Sequence, residues 1–232
     1  QSLSMEITMP QSYDNLRLLL NSRYSCRAYK RQEVSEKDIR EIISTASRVP
    51  TWCNAQPWEV LVTRGEATEK LSQLLIESTK TQQINPDFNW PTQYVGQYAQ
   101  RRRQCGYQLY ESIGIQKEDK KRRKEQMMLN YKFFGAPHVA IITSESDLGP
   151  YGSMDCGGFI AAFTIVAQAK GIATIAQASI TGYAQTIRKY FQIPKNRLIQ
   201  TAISFGYSDD LHPINHFRTE REKSEKVVKI FS

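Results

Sequence analysis

Residues 153–170 read SMDCGGFIAAFTIVAQAK. Phe159, Ile160, Ala161, Ala162, Phe163, Ile165, Val166 and Ala167 leave almost no polar face. A helix that is apolar all round is buried on all sides, and Gly171 stands where a left-handed C-cap is expected. In a chain of this size, burial on every side implies packing against a second subunit as well as against the chain's own sheet. Strands flank the helix: PHVAIIT at 137–143 before it, 172–175 after it, and a β-branched run at 198–207. Upstream, Ser35 reads as an N-cap with Asp38 three residues on, followed by Ile39, Ile42, Ile43 and Ala46 at helical spacing until Pro50. A strand is read at 58–63, helices at 67–80, 98–113, 121–134 and 183–191, and a long loop with Pro86, Trp90 and Pro91 between 81 and 96. Helices around a central sheet make an α+β or α/β domain.

Composition sets bounds on function. The chain has 232 residues, 40% hydrophobic and 23% charged, with no repeat or linker. We read one domain over 15–232, with a cover or insertion region around 81–125. Residues 1–14 are set aside as an N-terminal arm, with Gln1–Ser4 read as a tag-cleavage remnant before a natural start at Met5. No apolar stretch approaches the ~20 residues that cross a bilayer, and no basic patch leads an apolar core at the N-terminus, so no membrane partner is expected. Four scattered cysteines and three histidines make neither a zinc site nor a disulfide framework; reduced thiols in a cytoplasmic protein are expected. The net charge of +8 arises largely from 101–103 and 120–124, the second interleaved with acids as on a solvated helix face. No nucleic-acid partner is read from it.

Glycine-loop nucleotide motifs and a GxSxG nucleophile are absent. What remains is an anion site made of arginine and hydroxyl groups. Arg23 and Arg27, with Ser25 between them, can converge on one phosphate through their guanidinium forks; two surface arginines near a helix end are the plain alternative. The segment 50–58, PTWCNAQPW, carries Asn54 and Gln56, amides suited to a heterocycle edge; a rigid helix-to-strand turn is the alternative there. The tail 212–221 adds Arg218 and Arg221.

Taken together, RYSCR at 23–27, PTWCNAQPW at 50–58, FFGAP at 133–137, MDCGGFIAAF at 154–163, AQASI at 176–180, FGY at 205–207 and NHFRTER at 215–221 resemble, in order, the FMN-dependent nitroreductase superfamily, nitrobenzoate-reductase-like branch. The resemblance spans about 15–225. It implies an α+β nitroreductase-like fold with a mostly antiparallel sheet surrounded by helices, built as an intertwined homodimer with FMN at the interface and NADH or NADPH as electron donor. It also implies FMN-binding roles for Arg23, Tyr24, Ser25 and Arg27; for Pro50, Thr51, Trp52, Asn54 and Gln56 from the partner subunit; for Ala176, Gln177, Ala178 and Ser179 beside the ring; and for Arg221 and Arg218 at the phosphate. Thr51 and Ala176 depart from the Ser and Pro common in the family. The implied activity is reduction of nitroaromatic, quinone or similar flat electrophiles by alternating half-reactions, with no catalytic side chain of the protein's own. A reductive dehalogenase, a flavin protein without nicotinamide turnover and a nucleic-acid module are the competing readings; the halotyrosine-type Glu-x-x-x-Tyr pair is absent.

Overall fold

The computed structural model describes residues 9–231, so the reading of Gln1–Ser4 lies outside them. Four strands, β1 (Glu59–Val62), β2 (His138–Glu145), β3 (Ala173–Gln177) and β4 (Arg197–Gly206), form one sheet in the order β1-β2-β4-β3. Every neighbouring pair is antiparallel. The helices are α1 (Met9–Ser22), α2 (Glu36–Ala46), α3 (Glu66–Thr81), α4 (Gly96–Ser112), α5 (Lys120–Met128), α6 (Gly149–Ala169), α7 (Ala178–Thr181), α8 (Ala184–Phe191) and α9 (Ser224–Val227). The α+β class follows directly.

The apolar run in β2 is continuous because both faces of the sheet are covered. Alternation along the strand sends Val139 and Ile141 into a cluster with Leu71 and Leu75 of α3, Ile180 of α7 and Ile187 of α8. Ala140 and Ile142 go to the opposite cluster, with Ile39 and Ile42 of α2 and Phe159 and Phe163 of α6. The N-cap of α2 forms as its sequence requires. Ser35 Oγ accepts from the Asp38 N–H at 3.0 Å and donates to the Asp38 carboxylate at 2.6 Å.

Three features go beyond what the sequence pattern specifies. Within the chain α6 is buried on one side only: Gly152, Cys156, Phe159, Phe163 and Ala167 face the sheet, while Tyr151, Met154, Gly158 and Ala161 are exposed. With few polar side chains to mark the faces, residue size helps to separate them, Phe159 and Phe163 going inward and much of the open face being Gly and Ala. The helix read at 121–134 stops at Met128. A 3-10 turn, Leu129–Gly135, follows, with Phe133 (φ 54°) and Phe134 (φ 53°) in the left-handed region. That turn lets Phe133 enter the sheet cluster while Phe134 comes beside Arg27; a continued helix would place adjacent rings about 100° apart around one axis. Finally, α1 runs from Met9, across the boundary drawn at residue 14.

The loop between α3 and α4 is pinned at its first half. Asp87 pairs with Arg188 at 2.5 Å and accepts from the Ile199 N–H of β4 at 2.7 Å, and the Asn85 N–H donates to the Gly182 carbonyl at 2.8 Å. Trp90 packs so closely on Gly182 that a Cβ there would meet its ring at 2.8 Å.

Candidate functional site

After α1 the chain enters an extended arm beside β3. Ser25 bridges Thr174 in parallel register, and the Cys26 N–H donates to the Thr174 carbonyl at 3.0 Å. In extended backbone, side chains at i, i+2 and i+4 share a face. Arg23, Ser25 and Arg27 therefore project together, and Cys26 between them is fully buried. The i, i+4 spacing of the two arginines works here as a strand repeat.

The tail returns to this arm. Tyr29 bridges Ser208, and backbone bonds join Lys30 to Tyr207 and Asp209 to Ala28. Asn215, 2% exposed, locks the junction. Its Oδ1 accepts from the Arg27 N–H at 2.9 Å, its Nδ2 donates to the carbonyls of Ala28 and Asp209 at 2.9 Å each, and its own carbonyl accepts from Arg218 Nη1 at 2.7 Å. Arg218 stacks over Tyr24 with its Cζ 3.9 Å from the ring centre. Arg221 is held by Thr219 Oγ1 at 2.9 Å, and Arg27 lies between the rings of Phe134 and Phe217 at 6.0 and 5.7 Å.

Arg23, Ser25, Arg27, Arg218 and Arg221, with Tyr24 and with Cys105 of α4, line a cavity of about 170 Å³. Among the described residues, no carboxylate makes an ion pair with Arg23, Arg27, Arg218 or Arg221. Burial, and then the charge of Arg221, pushes the Arg23 pKa down; burial pushes down that of Arg27. Cations that are desolvated, adjacent and without counter-charge can hold an anion. The lining suits a phosphate monoester: the guanidinium groups of Arg23, Arg27, Arg218 and Arg221, the Ser25 hydroxyl, and no acidic group.

The sheet edge leads away from this cavity. From Thr174, opposite Ser25, the strand advances about 3.3 Å per residue to Gln177. Ala176 and Ala178 are exposed there. The side chains of Gln177 and Ser179 turn inward to Asn130, so what this edge offers outward is backbone and methyl groups.

The 50–56 turn stands apart from the arginine cavity and packs on α6. The Trp52 N–H donates to the Asp155 carboxylate at 3.2 Å, and the Trp52 ring lies 5.1 Å from that of Tyr151. Thr51 Oγ1 accepts from the Gln56 N–H at 3.2 Å, which closes the turn. Cys53, Asn54 and Gln56 sit at φ 49°, 56° and 46°; three non-glycine residues in this region mark a conformation that its surroundings impose. Pro50, Asn54 and Gln56 are exposed and Thr51 partly so.

The Nitroreductase family model matches residues 20–207. The chain is a member of the nitroreductase family. It is 30% identical to nitroreductase NfnB of Mycolicibacterium smegmatis over 204 residues, 88% of this chain and 87% of that protein. It is also 30% identical to 4-nitrobenzoate reductase of Pseudomonas putida, over 91% of this chain and 93% of that protein. Among solved structures, the FMN-dependent nitroreductase NfnB from Mycobacterium smegmatis in complex with NADPH superposes with a TM-score of 0.91 at 27% identity, covering 95% of this chain and 100% of the other.

For this nitroreductase-family chain, sequence reasoning found the arginines but missed two asparagines. Asn215 lies inside the motif NHFRTER, where its neighbours drew attention; Asn130 lies in a stretch read as plain helix. An amide that joins segments far apart in the chain has no signature in composition or periodicity.

Proposed function

We propose that the protein is an FMN-dependent NAD(P)H oxidoreductase that reduces nitroaromatic, quinone or similar flat electrophilic compounds, and that it works as a homodimer in the cytoplasm. The observation that carries this reading is the convergence of four guanidinium groups, free of carboxylate partners, on one cavity. The similarity to nitroreductase NfnB and 4-nitrobenzoate reductase supports the reaction class.

In this reading Arg23, Arg27 and Arg221 grip the FMN phosphate, with Ser25 and Arg218 beside them and Tyr24 supporting Arg218 from below. The edge of Ala176, Gln177, Ala178 and Ser179 presents backbone N–H groups to the ring. Pro50, Thr51, Trp52, Asn54 and Gln56 reach the flavin of the partner subunit, which accounts for polar side chains held outward by a strained turn. Thr51 keeps the hydroxyl of the usual Ser; Ala176 is already exposed backbone and needs no proline ring. Held there, FMN would supply two-electron redox chemistry between NADH or NADPH and the second substrate. The protein supplies position, charge and exclusion of water, the last by the 81–125 region, whose Cys105 and Arg101 wall the cavities beside the arginines. The open face of α6 and exposed Leu16, Leu18 and Leu20 of α1 support the dimer. All four cysteines are free, as a reducing compartment requires.

The test is the visible spectrum of the purified protein. A yellow protein that bleaches with NADPH or NADH under nitrogen, and releases FMN on heating, is expected; a colourless protein, or one releasing FAD, sinks the reading.

A further inference from the structure

Gln177 and Ser179 bracket the exposed Ala178, and both side chains point into the protein. Gln177 is buried; its Oε1 accepts from the hydroxyl of fully buried Ser204. Its Nε2 donates to the backbone oxygen and to Oδ1 of Asn130 at 3.2 Å each. Ser179 Oγ donates to that same Oδ1 at 2.9 Å. The other half of the amide, Nδ2, donates to the Met127 carbonyl at 2.8 Å. Asn130 Oδ1 is thus bonded to both residues that flank Ala178, and it ties them to the 3-10 turn that also delivers Phe133 to the core and Phe134 to Arg27.

We propose that Asn130 is a positioning residue for the reacting edge of the flavin. Its amide fixes the backbone of 177–179, so that the N–H groups there meet the ring already oriented. The inference rests on the FMN reading above and adds a residue that touches neither cofactor nor substrate. An N–H dipole stabilises charge on a neighbouring ring only as far as it is held in place before the charge arrives. A hydrogen-bonded set of side chains holds its backbone more firmly than its separate bonds would. Neither Gln177 nor Ser179 can do this alone, because each reaches only one end of the segment. The phosphate clamp lies at the other end of the cofactor, so Asn130 should govern ring electronics rather than affinity.

The test uses Asn130→Ala holoprotein, with two readouts: FMN affinity by titration of the apoprotein, and the midpoint potential against a reference dye. Affinity for oxidised FMN should stay within about threefold of wild type, since the arginines supply it. The potential should become more negative; a tenfold lower preference for reduced over oxidised FMN is about 30 mV for a two-electron couple. Ser179→Ala should shift the potential in the same direction by less, and the double variant should shift it no further than Asn130→Ala, because the Ser179–Asn130 bond that Ser179→Ala removes is already lost in Asn130→Ala. An unchanged potential in either single variant, or fully additive shifts, overturns the proposal. So does a fall in affinity and thermal stability with the potential intact, which would make Asn130 structural only. If Asn130→Ala fails to fold, Ser179→Ala decides alone. A wild-type protein that binds no FMN overturns instead the reading on which this one rests.

Discussion

The arginine cavity and the 50–56 turn are both polar candidate sites, and they are built in opposite ways. The first draws on an arm at 23–27, a tail at 215–221 and α4, sutured by the buried amide of Asn215. The second is local and exposed, resting on α6 through Trp52. The cavity is lined from distant segments of one chain, whereas the turn leaves Asn54 and Gln56 on the surface, the Gln56 amide donating back to the Asn54 carbonyl at 3.2 Å. A site assembled from distant segments depends on the fold that joins them, and a local turn depends on the surface beneath it. Substitutions can separate the two dependences.

The largest effect is expected at α6, on which the turn rests. Phe163 packs with Phe159 and Phe205 inside the chain's own core. Phe163→Asp should therefore abolish folding outright, an unpaired buried charge being worth several kcal/mol, and it does not report on the dimer. Ala161→Glu, on the open face, should instead give a folded monomer in size-exclusion chromatography with light scattering. A dimer that survives Ala161→Glu would refute the assignment of that face.

Next in size, Asn215→Ala should undo the suture of the cavity. It leaves the Arg27 N–H without its partner, at about 1–3 kcal/mol for a group left unpaired, while the carbonyls of Ala28 and Asp209 each lose one bond and keep the N–H of Asp209 and of His212. Each kcal/mol lowers Tm by about 2–4 °C at this chain length. Differential scanning calorimetry of the apoprotein would show it, and a wild-type Tm would mean that the arm and tail do not need this residue.

Arg27→Ala comes third. One charge-assisted bond to phosphate is worth about 1.5–3 kcal/mol, so FMN binding should weaken about ten- to a hundredfold in a fluorescence titration. Arg27→Lys should recover part of this, keeping charge and losing the fork. Saturating FMN should restore most turnover. Wild-type affinity in Arg27→Ala would place the phosphate elsewhere.

The smallest effect belongs to neither region. His138 is buried, its Nε2 accepting from the Val34 N–H at 2.9 Å and its Nδ1 3.2 Å from the Thr63 carbonyl, an arrangement that suits the neutral ring. Burial lowers its pKa from the ordinary 6.5. The unfolded chain takes up this proton near 6.5 and the folded chain only at lower pH. Stability is thus full above the unfolded pKa and declines as pH falls through the folded one. Tm measured from pH 7.5 to 5 should drop more steeply in wild type than in His138→Gln; parallel curves would exclude His138 as the cause.

Legibility followed the range of each interaction. The apolar character of β2 and α6, the cap at Ser35 and the Gly171 stop depend on near neighbours in the chain, and they stand where they were read. The break after Met128 was illegible because burial of Phe133, a tertiary demand, overrode a helical pattern. The face of α6 that turns inward was equally hidden, since both faces are apolar.

For the site, the residue types alone named arginine and hydroxyl groups as the candidates for holding an anion, with no glycine-loop motif in the sequence, because chemistry is carried by side chains whatever their arrangement. Family membership was legible as well, in the order of seven short motifs. Only the tertiary structure decided that Arg23 and Arg27 align as a strand, that Arg218 and Arg221 join them without a carboxylate, and that Asn130 and Asn215 hold the frame. Those are contacts across about 47 to 188 residues of chain, and no local rule of spacing reaches that far.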